Sequence, residues 1–100
     1  MILTEIGRKP KPASSEEMRL VHHALENATR RRIAILLTNG PQTIDGIAAL
    51  VGRDMLDYHL NHLQLAGLIE IDGGLVSPTE SGIAYGGLVR FQAENPDKKG

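Results

Sequence analysis

A chain of 100 residues with a formal net charge of −1 forms one small domain with room for a single hydrophobic core. It contains no cysteine, so disulfide bonds and thiolate metal sites are excluded and nothing indicates a secreted protein. The longest apolar run, IAILL, is too short to cross a membrane, and the first ten residues lack an apolar segment of the signal-peptide kind. We therefore expect a soluble protein in the cytoplasm with no membrane partner.

Basic residues are concentrated near the start of the chain. Residues 1–13 are basic, rich in proline and without periodicity, which is typical of a flexible arm. Three consecutive arginines occupy 30–32, whereas residues 42–80 hold six acidic residues and a single basic one. We expect a folded domain over 14–95 and a disordered tail over 96–100.

Capping signals and periodicity predict two helices between residues 14 and 38. Ser14 followed by Glu17 fits a capping box at the start of the first helix. Asn27 fits the N-cap of a second helix over 28–38. The positions predicted to face inward are Met18, Val21, His22 and Leu25 in the first helix, and Ile33, Leu36 and Leu37 in the second.

Two further helices are predicted before residue 68. Thr43 is the expected N-cap of the third, which Gly52 ends, and Asp54 is the expected N-cap of the fourth, which Gly67 ends. The positions predicted to face inward are Ile44, Ile47, Ala48 and Val51 in the third helix, and Leu56, Leu60 and Leu63 in the fourth.

The stretch LIEIDGGLVSP predicts two strands joined by Gly73 and Gly74, where a primed turn needs positive φ. Thr79 is the expected N-cap of a last helix with an inward stripe of Ala84, Leu88 and Phe91. The fold class is mainly α with a small β-hairpin (α+β). About five helices and a two-stranded wing follow one another in the order of a winged helix-turn-helix.

Three stretches in this order resemble the winged helix-turn-helix regulators of the ArsR and MarR kind: ATRRRIAILLTNGPQTIDGIAALVG, YHLNHLQLAGLIEI and LVSPTESG. The resemblance covers roughly residues 27–83. Members of such families are mostly dimeric and place the fourth helix in the major groove. The resemblance therefore implies a DNA-binding transcriptional regulator that acts as a homodimer on double-stranded DNA.

The candidate DNA-contacting residues are of two kinds. Basic residues would bind phosphates, with Arg31 expected to point outward most, although the arginines could instead pair with acids of the first helix. On the outward face of the fourth helix, Asn61 could pair with adenine, and Tyr58 could contact a phosphate or a thymine methyl group. The full set is Arg8, Lys9, Lys11, Arg30, Arg31, Arg32, Arg53, Tyr58, Asn61 and His62.

The same face supports an alternative from another class, a winged-helix module that binds another protein and no DNA. Asp54 and Asp57 would repel phosphates. Met55, Tyr58 and Leu65 form an apolar patch, which is normal for a protein interface. The turn before the fourth helix is also shorter than the family pattern.

Self-association is expected through the first and last helices. Glycines 82, 86 and 87 would permit close approach of another helix, unless they only fray the last one, and apolar surface is left over on both helices. The predicted dimer interface consists of Val21, Leu25, Ile35, Gly86, Leu88, Val89 and Phe91.

Catalysis and metal binding are not expected. His59 and His62 lie one helical turn apart, but no carboxylate or cysteine pattern completes a set of metal ligands. No nucleophile, carboxylate pair or phosphate-binding loop has a suitable context. The sequence therefore predicts neither an enzyme nor a cofactor.

Overall fold

The computed structural model describes residues 15–94, which form five helices and three strands. The helices are α1 (Ser15–Ala24), α2 (Ala28–Leu37), α3 (Ile44–Val51), α4 (Leu56–Leu65) and α5 (Glu80–Glu94). The strands are β1 (Gln42–Thr43), β2 (Ile69–Asp72) and β3 (Leu75–Pro78). The predicted arm, the predicted tail and the expected capping residue Ser14 lie outside the described residues.

Three of the predicted N-caps are confirmed. The side chains of Asn27, Thr43 and Thr79 each accept a hydrogen bond from the backbone N–H three residues later, at 3.0, 2.9 and 3.0 Å. The fourth prediction is wrong, because Met55 rather than Asp54 occupies the N-cap of α4 and makes no side-chain capping bond. Met55 has a φ of 58°, in the left-handed region that a residue with a Cβ rarely adopts.

The predicted hairpin is confirmed, but its sheet has a third strand. Gly73 and Gly74 have φ values of 59° and 88°, as a primed turn requires. Residues 42–43 pair antiparallel with β3, which gives the strand order β1-β3-β2. The sequence predicted a two-stranded wing because two residues are too few to show an alternating pattern.

The hydrophobic core lies between the helices and the inner side of the sheet. The leucine stripe of α4 is buried as predicted. The fully buried large side chains are Ile33, Leu37, Ile47, Leu63, Leu68 and Val76. In α1, His22 is exposed and Ala24 takes an inward position instead.

The inward stripe predicted for α5 is wrong. Ala84, Leu88 and Phe91 are exposed, and the buried residues of α5 are Gly82, Gly86 and Val89. Small residues face inward because the α5 backbone approaches α2 and the start of the wing closely. A Cβ at Gly86, for example, would lie 2.7 Å from the carbonyl oxygen of Ala34.

The position of α4 is fixed at its C-terminal end by Thr79. Its hydroxyl donates to the carbonyl oxygen of Gly67 at 2.7 Å, and its backbone N–H donates to the carbonyl of Leu68 at 3.1 Å. Residues 52–55 join α3 to α4, and the hairpin follows. This arrangement confirms the predicted winged helix-turn-helix fold. Between residues 15 and 94, no helix combines the length and the apolar character needed to cross a bilayer.

Candidate nucleic-acid interface

Helix α4 holds the place of the recognition helix and presents a contiguous exposed surface. Met55, Tyr58 and Leu65 are 56%, 50% and 66% exposed, and Asn61 is exposed among them. We call these four residues the α4 face. Because the opposite side of α4 is buried in the core, the α4 face is held in a fixed orientation.

The surroundings of the α4 face are acidic. Residues 54–65 contain two exposed carboxylates, Asp54 and Asp57, and neither lysine nor arginine. Asp57 lies in the first turn of α4, where a negative charge is stabilised by the helix dipole. The α4 face by itself therefore offers no positive charge to attract phosphates.

The sequence predicts that Arg30 contacts phosphate, but this side chain is only 5% exposed. Its Nε donates to the carbonyl oxygen of Ala24 at 2.7 Å, and its Nη1 lies 3.2 Å from Nδ1 of His59. Its Cζ is 5.8 Å from the ring centroid of Tyr58. The expectation that Arg30 contacts phosphate is therefore wrong. Its guanidinium is buried and contacts His59 and Tyr58 of α4.

Arg31 and Arg32 also have partners within the chain. Nη1 of Arg31 donates to the carbonyl oxygens of Leu25 and Glu26, both at 2.9 Å. Arg31 is half-buried, so the expectation that it points outward most is wrong, and Arg32 is the more exposed of the two. Nη2 of Arg32 donates to the carbonyl of Leu50 at 3.1 Å. Backbone carbonyl oxygens carry no net charge, so these hydrogen bonds do not neutralise the two guanidinium groups.

Arg53, next to the start of α4, is paired with Asp45 at 2.6 Å, and both side chains are exposed. Exposed pairs of this kind break at little cost, on the order of 1 kcal/mol or less. Every arginine within residues 15–94 has a partner in the same chain. The basic residues predicted in the arm, Arg8, Lys9 and Lys11, lie outside the described part.

A row of rings connects α1 to the α4 face. The ring centroid of His62 lies 5.2 Å from that of His23 and 5.0 Å from that of Tyr58, the latter in an edge-on arrangement. Burial lowers the pKa of His62 and of His59, and the positive charge of Arg30 lowers both further. Both imidazoles are therefore neutral near pH 7. Within the described residues, no three His, Asp or Glu side chains are grouped to hold a metal ion.

Three of the residues predicted for the dimer interface belong to the core of the single chain. Val21 and Val89 are 4% and 8% exposed, so neither has surface left for a partner. Gly86 faces Ala34 and Thr38 of its own chain, so its close helix contact is intramolecular. These three residues are corrected from interface to core positions.

The other four predicted interface residues have accessible surface. Leu25 and Ile35 are half-buried, whereas Leu88 and Phe91 are 55% and 57% exposed. Leu25, Leu88 and Tyr85 line a groove between α1 and α5. An apolar surface therefore remains where the two helices meet.

Two features of the site were missed in the sequence analysis. The sequence could have indicated the burial of Arg30, because this residue precedes Ile33 and Leu37 at helical spacing on the buried stripe of α2. The left-handed conformation of Met55 has a weaker signal, namely the short interval between Gly52 and Leu56 in which the chain must turn. Neither glycine nor asparagine occurs at residues 53–55.

No protein family model and no curated protein sequence matches this chain. Solved structures do share its fold. One is the homodimeric winged helix-turn-helix DNA-binding domain of a possible ArsR-family transcriptional regulator from Mycobacterium bovis, with a TM-score of 0.67 and 23% identity over 86% of this chain and 92% of that one. Another is an ArsR family transcriptional regulator, with a TM-score of 0.61 and 19% identity over 87% of this chain and 98% of that one. At these identities the likeness establishes the winged helix-turn-helix fold.

Proposed function

We propose that the protein is a transcriptional regulator that binds double-stranded DNA as a homodimer, with α4 in the major groove. The observation that carries this proposal is the α4 face, which is exposed and rigidly held at the recognition-helix position of the fold. The two similar structures, one a DNA-binding domain and the other a transcriptional regulator, support it. Such a role needs no catalytic residue or cofactor, and it implies a cytoplasmic location.

Electrostatics restrict how this protein would bind DNA. The α4 face has two carboxylates beside it and no basic residue, so it adds sequence readout but little affinity. Phosphate contacts would come from Arg31, Arg32 and the basic residues of the arm. Asp57 would lower the affinity, because it lies near the phosphates that flank the groove.

The homodimer would be built on α1 and α5. Leu88 and Phe91 expose more than half of their side chains next to a groove lined by Leu25 and Tyr85. Exposed apolar surface of this kind is typical of an interface. The M. bovis domain, which has the same fold, is homodimeric.

Fluorescence anisotropy of a labelled random-sequence duplex, titrated with the intact protein, tests the DNA-binding proposal. We expect binding at low salt, and Asp57→Ser should tighten it because one negative charge near the phosphates is removed. Glu80→Ser removes the same charge at the start of α5 and is the matched control. Absence of binding at low salt by the intact protein would reject the proposal.

One observation favours the protein-binding module as a second candidate. Met55, Tyr58 and Leu65 expose apolar surface beside Asp54 and Asp57, a composition suited to a partner protein with basic and apolar residues. In that case Tyr58→Ala combined with Leu65→Ser should reduce partner recovery in a pull-down. Undiminished recovery by the double variant would count against this face.

A further inference from the structure

The α4 face limits which base pairs it can recognise. Three of its four side chains, Met55, Tyr58 and Leu65, are apolar or aromatic and at least half exposed. The fourth, Asn61, is an amide. Guanine offers only acceptors, O6 and N7, in the major groove and is read mainly by arginine or lysine. Since residues 54–65 contain neither, α4 itself has no side chain of the kind that selects guanine, and Arg53, which precedes α4, is paired with Asp45 at 2.6 Å.

The remaining side chains suit A·T pairs. Thymine carries the C5-methyl group, which is the apolar feature of the major groove, and apolar side chains contact it. Adenine offers an acceptor at N7 and a donor at N6, which an asparagine amide pairs with in a bidentate way. Asp57 can only accept hydrogen bonds, so it is unable to bind O6 or N7 of guanine, and it could accept only from the amino group of cytosine or adenine.

Two features of the structure prepare the apolar residues for such contacts. The ring of Tyr58 is held by its neighbours, with the ring centroids of His62 and His59 at 5.0 and 5.6 Å and the Arg30 guanidinium over it. A ring that is already oriented loses little conformational entropy on binding. Met55 sits at the N-cap of α4, the end of a recognition helix that contacts base edges.

We propose that α4 selects DNA half-sites by their A·T pairs, through contacts of Met55, Tyr58 and Leu65 with thymine methyl groups and of Asn61 with adenine. This inference rests on the proposed DNA-binding function and adds the class of sequence that is bound. It assigns the exposed apolar surface of α4 to the groove rather than to a partner protein. Tyr58 then contacts a base through its ring and not a phosphate through its hydroxyl.

The test uses the intact protein and duplexes selected by it from a random-sequence pool. Each selected duplex is then prepared with thymine or with uracil, which removes the C5-methyl group and keeps the hydrogen-bonding groups. Uracil should weaken binding about fourfold for each methyl group that is buried. Selected sequences should be rich in A·T pairs in each half-site.

Variants assign the effect to the α4 face. Met55→Ala and Tyr58→Ala should each reduce the thymine-to-uracil affinity ratio, whereas Tyr58→Phe should keep it because the ring remains. Leu50→Ala truncates an exposed leucine of α3 and is the control that should leave the ratio unchanged.

The outcomes separate this inference from the proposed function. Equal affinity for thymine and uracil duplexes, or selection of G·C pairs, overturns A·T readout while DNA binding stands. If the single variants Tyr58→Ala and Met55→Ala both keep the full thymine-to-uracil affinity ratio, the assignment to the α4 face is overturned. Failure to bind any duplex at low salt overturns the proposed function and this inference with it.

Discussion

Nη1 of Arg30 lies 3.2 Å from Nδ1 of His59, and both side chains are buried. A guanidinium can only donate, so Nδ1 of His59 is an unprotonated acceptor in this contact. Nε of the same arginine donates to the carbonyl oxygen of Ala24. One side chain of α2 therefore joins the end of α1 to α4.

The contact predicts that folding stability falls in mild acid. Burial and then the charge of Arg30 lower the pKa of His59 below 6.5, while Asp54 opposes this shift. The His59 imidazole therefore binds a proton more readily in the unfolded chain than in the folded chain. The contribution of neutral His59 to the free energy of unfolding is fully present above the ordinary histidine pKa of 6.5. It is lost as the pH falls toward the lowered pKa of the folded state.

Urea unfolding between about pH 7.5 and about pH 5 measures this loss. His59→Asn retains an acceptor near the Arg30 guanidinium but does not titrate, so its stability should depend less on pH. Part of the dependence should remain, because burial and Arg30 also lower the pKa of His62. An equal pH dependence in the variant and the natural protein would show that the Arg30–His59 contact is not its origin.

Adjacent glycines of α5 should respond in opposite ways to alanine. A Cβ at Gly86 would lie 2.7 Å from both the carbonyl oxygen of Ala34 and Cγ2 of Thr38, so Gly86→Ala should destabilise the fold by about 1–3 kcal/mol through overpacking. A Cβ at Gly87 meets no atom within 4 Å. Gly87→Ala should therefore stabilise α5 by about 1 kcal/mol. Chemical denaturation measures both, and effects of the same sign would contradict the α2–α5 packing.

The left-handed backbone at Met55 should be relieved by glycine. A residue with a Cβ at a φ of 58° is strained, so Met55→Gly should raise the free energy of unfolding by up to roughly 1 kcal/mol. Gln64→Gly, at an exposed position of α4 with ordinary helical φ, should not stabilise the protein. A destabilised Met55→Gly variant would indicate that the Met55 side chain contributes more than the backbone strain removes.

Self-association should depend on Leu88. This residue is 55% exposed on α5, and Leu88→Glu would place a charge in the proposed apolar interface. Sedimentation equilibrium at tens of micromolar, a range suited to weak dimers, should show a dimer for the natural chain and a monomer for the variant. Leu75→Glu, on the wing, is the control and should remain dimeric. A monomeric natural chain would rule out the dimer.

The fold could be predicted because its signals are local. Asn27, Thr43 and Thr79 cap helices through their own side chains, and the Gly73–Gly74 turn follows from the need for positive φ. The packing of α5 could not be predicted in this way. Its inward face contains small residues rather than a stripe of large apolar ones. Glycine is required at position 86 because α2 lies close to it, and a pattern of hydrophobicity does not show this.

The candidate site was predictable only in part. The outward position of Tyr58, Asn61 and Leu65 follows from the leucine periodicity of α4 and agrees with their exposure. The role of Arg30 depends on contacts with Ala24 and His59, and His59 is distant in sequence. A charged residue in a sequence is expected to be exposed to solvent. Only the three-dimensional packing reveals that the Arg30 guanidinium is buried.

The salt dependence of binding to random-sequence duplex DNA tests the central claim most directly, namely that this winged helix binds DNA with phosphate contacts made outside α4. The intact protein should bind at low salt, with an affinity that falls steeply as salt increases. Replacing Arg8, Lys9 and Lys11 by serine should reduce the log–log slope by up to about 0.9 for each phosphate that is no longer neutralised. Replacing Lys98 and Lys99 by serine is the control and should leave the slope unchanged. Absence of duplex binding at the lowest salt, or an unchanged slope in the arm variant, would contradict the account.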